Sequence, residues 1–295
     1  MISQPGRQSK QVTPETADIA LDIRARSRTI PAPNKLKKIL ARERKAREEA
    51  LEAMAETKGE MVEFESNGAQ AQGYLSLPVG GRGPGVVVIQ EWWGLVPHIK
   101  DVADRFAAEG FTALAPDLYH GRQTASPDEA GKLMMALDIE RAEKDLRGAV
   151  RFLAAHEATG AGQGRVGTVG FCMGGVLSLY AACKNRQVGA CVVFYGIHPK
   201  VNPPLEDLAA PVLGIYAERD QMVPPEAVRE LETRLTSLGK EVEMHIYAGT
   251  DHAFFNDTRP GVHAPGPAAD AWRRTIDFFR QHLGRGEAEG MKDAG

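Results

Sequence analysis

Hydrophobic and polar residues follow two different patterns along the chain from Glu60 onwards. The segments EMVEFES and AQGYLSLP alternate apolar and polar positions, and the Asn67-Gly68 pair between them is typical of a hairpin turn. The next segment, GVVVIQ at 85–90, contains a continuous β-branched run, as expected of a strand that is buried on both faces. Further runs of this kind are separated by stretches of helical length. The alternation predicts an α/β fold with a mostly parallel central sheet flanked by helices.

The same pattern gives approximate bounds for the remaining elements. Strands are predicted at 111–116, 165–171, 187–196, 210–218 and 240–248. Helices are predicted at 99–109, in one or two pieces at 126–156, and at 174–185, 225–238 and 268–282. These elements form one predicted domain at 59–284, and we expect a flexible tail at 285–295.

The residues before this domain differ from it in composition. Residues 1–33 mix Ser, Thr, Gln, Pro and Arg without a sustained apolar period, and we expect a flexible polar arm there. Residues 34–58 begin with Asn, are rich in Ala, Glu, Lys and Arg, and precede Gly59, which predicts a basic amphipathic helix. We expect this helix to lie in solvent on the domain or on a partner subunit, which would allow an oligomer. A nucleic-acid contact is the less favoured alternative.

Composition and charge exclude several classes of protein. The 295 residues are 43% hydrophobic and 25% charged, close to globular averages, and no apolar run approaches the ~18 residues that a membrane helix needs. The net charge of −3 gives no general attraction to nucleic acid or to an anionic membrane. Three cysteines without a CxxC pair fit neither a disulfide framework nor a zinc site, and with the polar amino terminus they predict a cytoplasmic protein. Since P-loop and H-E-x-x-H motifs are also absent, we expect no cofactor and no metal.

The segment VGTVGFCMGGVLSLY carries the most specific pattern in the chain. A predicted strand runs into Gly-Phe-Cys-Met-Gly at 170–174, and a predicted helix begins at once. G-x-C-x-G is the nucleophile-elbow pattern with Cys172 in the place of the usual Ser. The amino terminus of the helix behind the thiol would favour the thiolate. Taken alone, the pattern leaves open that Cys172 is an ordinary buried cysteine, as we expect Cys183 and Cys191 to be.

Two later segments place an acid and a histidine directly after strands. Asp220 follows the strand at 210–218, and His252 follows the strand at 240–248. Open α/β sheets gather their sites at the carboxyl ends of the strands, and the order nucleophile, acid, histidine is the one that the α/β-hydrolase fold uses. Individually, Asp220 is also explained as a helix cap and His252 as a surface loop residue. The three residues together indicate nucleophilic catalysis.

Five segments resemble the dienelactone hydrolase family of the α/β-hydrolase fold. They are VVVIQEWWGL, APDLYHGRQ, GFCMGG, AERDQMVP and GTDHAFFND, spread over about 60–283. The resemblance implies an α/β-hydrolase domain without a cap domain. It implies that Cys172 is the nucleophile, His252 the general base and then acid, and Asp220 the group that orients His252. The implied reaction is hydrolysis of a small ester or lactone through an acyl-cysteine intermediate, without a cofactor; the family's named activity is carboxymethylenebutenolidase.

The resemblance also assigns residues around the nucleophile. Glu91 matches a family glutamate that interacts with the nucleophile thiol and helps control its ionisation. The alternative is that Glu91 is an exposed carboxylate at a strand end. The backbone N–H groups of Met173 and Trp92 are implied to form the oxyanion hole.

The substrate-binding residues match the family less well. Family members hold the substrate carboxylate with two arginines; Arg122 is the candidate for the first, and Asn256 stands where the second is expected. With this clamp incomplete, we expect neutral esters to be hydrolysed at least as well as carboxylated lactones. Trp93 indicates that the substrate pocket has an apolar or aromatic lining; alternatively, its ring simply packs within the protein. A broader carboxylesterase or thioesterase acting on an unknown metabolite, and a non-catalytic binding module, remain alternatives.

Overall fold

The computed structural model describes residues 45, 58–66, 68–159, 165–198 and 201–284. The predicted arm at 1–33 and tail at 285–295 lie outside these residues. So does the helix predicted at 34–58, apart from Lys45, which is helical and exposed, and Lys58.

Eight strands form one sheet. They are β1 (Glu60–Ser66), β2 (Ala69–Ser76), β3 (Gly85–Ile89), β4 (Thr112–Pro116), β5 (Val166–Phe171), β6 (Val188–Phe194), β7 (Val212–Ala217) and β8 (Val242–Tyr247). The order across the sheet is β1-β2-β4-β3-β5-β6-β7-β8. β2 is antiparallel to both of its neighbours, and all other pairs are parallel. The mostly parallel sheet predicted from the sequence is therefore confirmed.

The predicted hairpin is formed by β1 and β2. Ser66 pairs with Ala69, and Gly68 adopts a φ of 77° in the turn between them. A glycine tolerates this left-handed conformation because it has no Cβ. The short connection fixes the register of the first two strands.

Six helices of at least nine residues accompany the sheet within the described residues. They are α1 (Pro97–Ala108), α2 (Pro127–Met135), α3 (Ile139–Ala155), α4 (Met173–Lys184), α5 (Pro225–Ser237) and α6 (Pro265–Leu283). The predicted stretch 126–156 is two helices, since Asp138 accepts hydrogen bonds from the N–H groups of Glu140 and Arg141 and so starts a new helix. α1 and α6 begin a few residues earlier than predicted, each with a proline in its first turn.

The helices cover both faces of the sheet. A Cβ on Gly85 would contact Leu153 of α3, whereas a Cβ on Gly167 would contact Phe279 of α6. Gly85 pairs with Val166, the residue before Gly167. Because successive residues of a strand point to opposite faces, α3 and α6 lie on opposite sides of the sheet. Every residue of β3 to β7 is consequently buried.

The parallel strands bring four of the predicted site residues to one edge of the sheet. β3, β5, β7 and β8 run in the same direction. Glu91, Cys172, Asp220 and His252 follow the carboxyl ends of these four strands in that order. Within the part of the chain that the structure describes, no helix is both long and apolar enough to cross a membrane.

Candidate active site

Cys172 occupies a strained turn between β5 and α4. Its φ is 56° and its ψ is −118°, a conformation that non-glycine residues rarely adopt, and its N–H donates to the carbonyl of Phe194 at 3.0 Å. A Cβ on Gly170 would overlap the carbonyl group of Gly174, and one on Gly174 would overlap the carbonyl oxygen of Ile89. The glycines on either side of the cysteine therefore allow the backbone to turn this sharply. Strain of this kind is typical of functional sites.

The other two cysteines lie away from this turn. Cys183 is in α4 and Cys191 is in β6, and both are buried free thiols. Burial raises the pKa of Cys183 to about 12 and that of Cys191 to about 11. Neither thiol has the partial exposure and the positive surroundings that activate a cysteine.

Asp220 and His252 form a hydrogen-bonded pair. Nδ1 of His252 lies 2.6 Å from Oδ2 of Asp220. The other carboxylate oxygen accepts the N–H groups of Met222 at 2.8 Å and Val223 at 3.0 Å. Asp220 thus holds its own turn and also fixes the histidine ring; it is not the helix cap considered from the sequence, because α5 has Pro224 as its N-cap residue. With Nδ1 taken, Nε2 is the nitrogen that is left for chemistry.

The electrostatic surroundings favour a charged His252. Burial lowers its pKa, but the hydrogen bond to Asp220 and the attraction of the neighbouring Cys172 sulfur raise it, and the net result is a pKa of about 10. Nε2 is buried and makes no hydrogen bond to any described residue. The arrangement therefore stabilises the imidazolium form of His252.

Glu91 is buried rather than exposed, so the interpretation as an exposed strand-end carboxylate is wrong. Its side chain accepts a hydrogen bond from Nδ2 of Asn256 at 2.8 Å, and each residue is 2% exposed. Burial raises the pKa of Glu91, while Asn256, His252 and Arg259 oppose this shift. Glu91 is therefore an acid whose proton is held more tightly than that of an ordinary glutamate.

The sequence predicts that two backbone N–H groups form the oxyanion hole. Met173 is the first residue of α4, so its N–H has no acceptor within the helix. Trp92 follows Glu91 in the loop after β3, and this loop is held by a 3.0 Å hydrogen bond from the N–H of Thr124 to the carbonyl of Trp93. Trp92 lines the same cavity as Cys172, and the oxyanion-hole role of the two N–H groups stays a prediction.

A cavity of about 380 Å³ joins these elements. It is lined by Glu91, Trp92, Trp93, Cys172, Asp220 and His252, and also by Arg219, Gln221, Met222, Asp251, Ala253, Arg259 and Val262. The side chain of Asp220 itself is fully buried, and only its histidine partner is partly accessible. The cavity is large enough for a small ester or lactone.

Two of the predicted substrate-binding residues do not line this cavity. Arg122 lines a separate cavity of about 220 Å³ together with Tyr119 and Arg141. Asn256 is buried, and its amide nitrogen is engaged by Glu91. Trp93 alone of the three faces the catalytic cavity.

Two other residues of the site were missed by the sequence analysis. The guanidinium carbon of Arg259 lies 5.6 Å from the centre of the Trp93 ring, and Arg259 forms no salt bridge with the described residues. The ring of Tyr195 lies 5.0 Å from that of His252, and its φ is 39°. Arg259 could have been suspected from the sequence because it lies in the loop that carries His252. Tyr195 lies at the end of a predicted strand, and no sequence pattern marks it as a site residue.

Comparisons with known proteins identify the family of this chain. A family model described as "Dienelactone hydrolase family" matches residues 71–283. "Protein usf" of Aquifex pyrophilus is 41% identical over 232 residues, which cover 76% of this chain and 99% of the relative. A "Putative carboxymethylenebutenolidase" of Aquifex aeolicus is 36% identical over 232 residues, again 76% of this chain and 99% of the relative.

Solved structures give the same result. The crystal structure of a putative dienelactone hydrolase from Klebsiella pneumoniae is 31% identical, covers 76% of this chain and 99% of its own, and superposes with a TM-score of 0.67. This level of likeness confirms the α/β-hydrolase fold expected from the sequence. The chain belongs to the dienelactone hydrolase family and is a hydrolase that acts on carboxylic esters or lactones.

Proposed function

We propose that this chain hydrolyses small esters or lactones with Cys172 as the nucleophile, His252 as the general base and Asp220 as the residue that orients His252. The single observation that carries the proposal is the 2.6 Å contact of His252 with Asp220 beside a cysteine at a φ of 56°, all on one cavity. Nucleophile, base and orienting acid are the three parts that covalent acyl transfer needs.

The reaction follows from these positions. Nε2 of His252 takes the proton of the Cys172 thiol, and the sulfur attacks the carbonyl carbon of the substrate. The N–H groups of Met173 and Trp92 stabilise the oxygen that becomes negative. When the carbon–oxygen bond to the alcohol breaks, His252 returns the proton to the leaving oxygen. The acyl-cysteine is then hydrolysed by a water that His252 deprotonates, which releases a carboxylic acid and restores the thiol.

Glu91 has a supporting role in this proposal. It is buried on the same cavity as Cys172 and His252, and the charge of His252 lowers its pKa against the effect of burial. A carboxyl in this position changes the charge next to the thiol whenever it gains or loses a proton. We assign to it the control of thiol ionisation that the family resemblance implies.

The cavity favours substrates that carry a carboxylate. Our expectation that neutral esters are hydrolysed at least as well depended on Asn256 facing the substrate, and Asn256 does not line the cavity. Arg259 does line it, and within the described chain it has no carboxylate partner of its own. A guanidinium over an aromatic ring is well suited to bind a planar carboxylate.

The remaining interpretations are weaker. A non-catalytic binding module does not fit membership in a hydrolase family, whereas a broader carboxylesterase or thioesterase uses the same residues and differs in its acyl group. A cytoplasmic location is part of the proposal, supported by three free thiols. An oligomer formed through residues 34–58 also stays a proposal.

Replacement of the cysteines tests the proposal. Cys172→Ala is expected to lower the turnover of p-nitrophenyl acetate by about 10³-fold or more, because the covalent route is lost. Cys183→Ala, a buried cysteine of α4, is the matched control and should keep most of the activity. Activity of Cys172→Ala equal to that of the control would overturn the proposal.

A further inference from the structure

Asn256 contacts the buried carboxyl of Glu91, which lines the catalytic cavity together with Cys172. Its Nδ2 donates to Oε2 of Glu91 at 2.8 Å, although the two residues are 165 positions apart in the chain. Glu91 lines the catalytic cavity and Asn256 does not. The amide therefore affects the catalytic cavity indirectly, through its hydrogen bond to Glu91.

The orientation of this amide is fixed by Thr258. Oδ1 of Asn256 accepts the Thr258 hydroxyl at 2.7 Å and the Thr258 N–H at 3.1 Å. An oxygen that accepts two donors must lie on that side, so the NH₂ group has to face Glu91. Since Oε2 of Glu91 accepts this bond, Oε1 is the oxygen that is left to carry a proton.

Several charged or titratable groups surround Glu91. His252 and Arg259 come from the segment after β8, and both favour the ionised carboxyl. Cys172 lies on the turn before α4, and Tyr195, whose buried hydroxyl has no hydrogen-bond partner among the described residues, follows β6. Burial raises the pKa of Tyr195 well above its usual value, and the negative forms of Glu91 and Cys172 raise it further. Beside these groups, Asn256 is the neutral side chain that donates a hydrogen bond to Glu91.

We infer that, if Glu91 acts on the thiol as proposed above, Asn256 is a positioning residue that holds Glu91 beside the nucleophile and controls when Glu91 releases its proton. A hydrogen bond donated to a carboxylate stabilises the ionised form. Because the donor is an amide and carries no charge, it stabilises that form less than an arginine at the same position would. Burial raises the pKa of Glu91, and the neutral amide opposes this shift less than an arginine would.

The pH dependence of Cys172 alkylation by iodoacetamide tests this inference without any substrate. In the wild type, the plot of the alkylation rate against pH should contain one inflection that is absent from the Glu91→Gln variant. In Asn256→Leu this inflection should move to higher pH by about one unit, the size expected for the loss of one hydrogen bond to a carboxylate. Thr258→Val keeps the amide but removes one of the bonds that hold it, and should give a smaller shift in the same direction.

The control separates positioning from stability. Asn185 is also a buried asparagine, and it lies between α4 and β6. Asn185→Leu is expected to lower the melting temperature without moving the inflection. If Asn256→Leu does not fold, Thr258→Val carries the test.

Two results would overturn the inference: an inflection that survives Glu91→Gln, or one that stays at the wild-type pH when Asn256 or Thr258 is changed. Failure of the proposed function would look different. Esterase activity that persists in Cys172→Ala would reject the nucleophile, while the alkylation profiles would still report on Asn256.

Discussion

Oδ2 of Asp220 lies 2.6 Å from Nδ1 of His252, 32 positions later in the chain. The second oxygen of Asp220 is already occupied by the N–H groups of Met222 and Val223. In Asp220→Asn the side-chain oxygen should keep these two bonds, so that its NH₂ group faces His252. The histidine would then have to carry its proton on Nε2 and could no longer act as the base.

We therefore expect Asp220→Asn to lower kcat by about 10⁴-fold, as a wrong tautomer does in a catalytic triad. Because the hydrogen bond to Asp220 is one of the causes that raise the pKa of His252 against burial, the pKa of the imidazolium should also fall in the variant. NMR titration of His252 and steady-state kinetics measure the two effects. Asp128→Asn, at an exposed position of α2, is the control; a variant at Asp220 with the same kcat as this control would contradict the assignment.

The buried Glu91 should make stability depend on pH. Its folded-state pKa is raised above 4.5 by burial, so its favourable contribution is fully present below pH 4.5 and is lost as the pH rises through the folded-state pKa. Glu91→Gln removes this loss and keeps an acceptor for Asn256. Relative to wild type, the variant should thus gain stability between pH 5 and pH 8.

Urea unfolding at pH 5 and pH 8 measures the free energy of unfolding for this comparison. Glu230→Gln, an exposed position of α5, is expected to show no such gain. A stability difference between Glu91→Gln and wild type that is equal at the two pH values would mean that Glu91 is not held in its protonated form.

Arg259 should select substrates by charge. Replacing it with Met keeps the packing on Trp93 but removes the guanidinium, which lies 5.6 Å from the ring centre. For a carboxylated ester we expect kcat/KM to fall about tenfold, which corresponds to one charge-assisted hydrogen bond, while a neutral ester of the same size is little affected. Arg122→Met, in the other cavity, serves as the comparison. If Arg122→Met has the larger effect, the carboxylate is bound where the family resemblance first indicated.

The turn before α4 should tolerate no side chain at Gly174. A Cβ there would overlap the carbonyl oxygen of Ile89, a backbone atom that cannot move independently. We expect Gly174→Ala to lower the free energy of unfolding by about 3 kcal/mol or more, as overpacking of a core does. At Gly131 of α2, by contrast, an added Cβ meets nothing within 4 Å, and alanine should be neutral or stabilising there. Equal unfolding free energies for the two variants would show that the turn can relax.

The sequence predicts the parts of this molecule that depend on local patterns. Runs of β-branched residues predict the strands of the sheet, and Gly-x-Cys-x-Gly predicts the turn at Cys172. Asp220 and His252 each follow a strand end, and they come together because the carboxyl ends of parallel strands lie at one edge of the sheet. The direction of a loop side chain has no such local signal. Asn256 and Arg259 belong to the same loop, yet one is buried against Glu91 and the other lines the cavity.

The position of Asn256 along the sequence therefore suggested a substrate contact, although its amide donates a hydrogen bond to the buried Glu91. The loop after His252 starts with Ala253 at a φ of 66°, a conformation that alanine rarely adopts and that no sequence pattern predicts. Only the folded loop shows that Arg259, and not Asn256, lines the cavity.

Direct detection of the acyl-enzyme tests the central claim, that Cys172 is the nucleophile. The protein is mixed with p-nitrophenyl acetate, quenched in acid within the first turnover and mapped by peptide mass spectrometry. We predict a single acetyl group on the peptide that contains Cys172, and loss of both this label and the esterase activity in Cys172→Ala. An acetyl group on another residue, or full turnover by Cys172→Ala, would contradict the account.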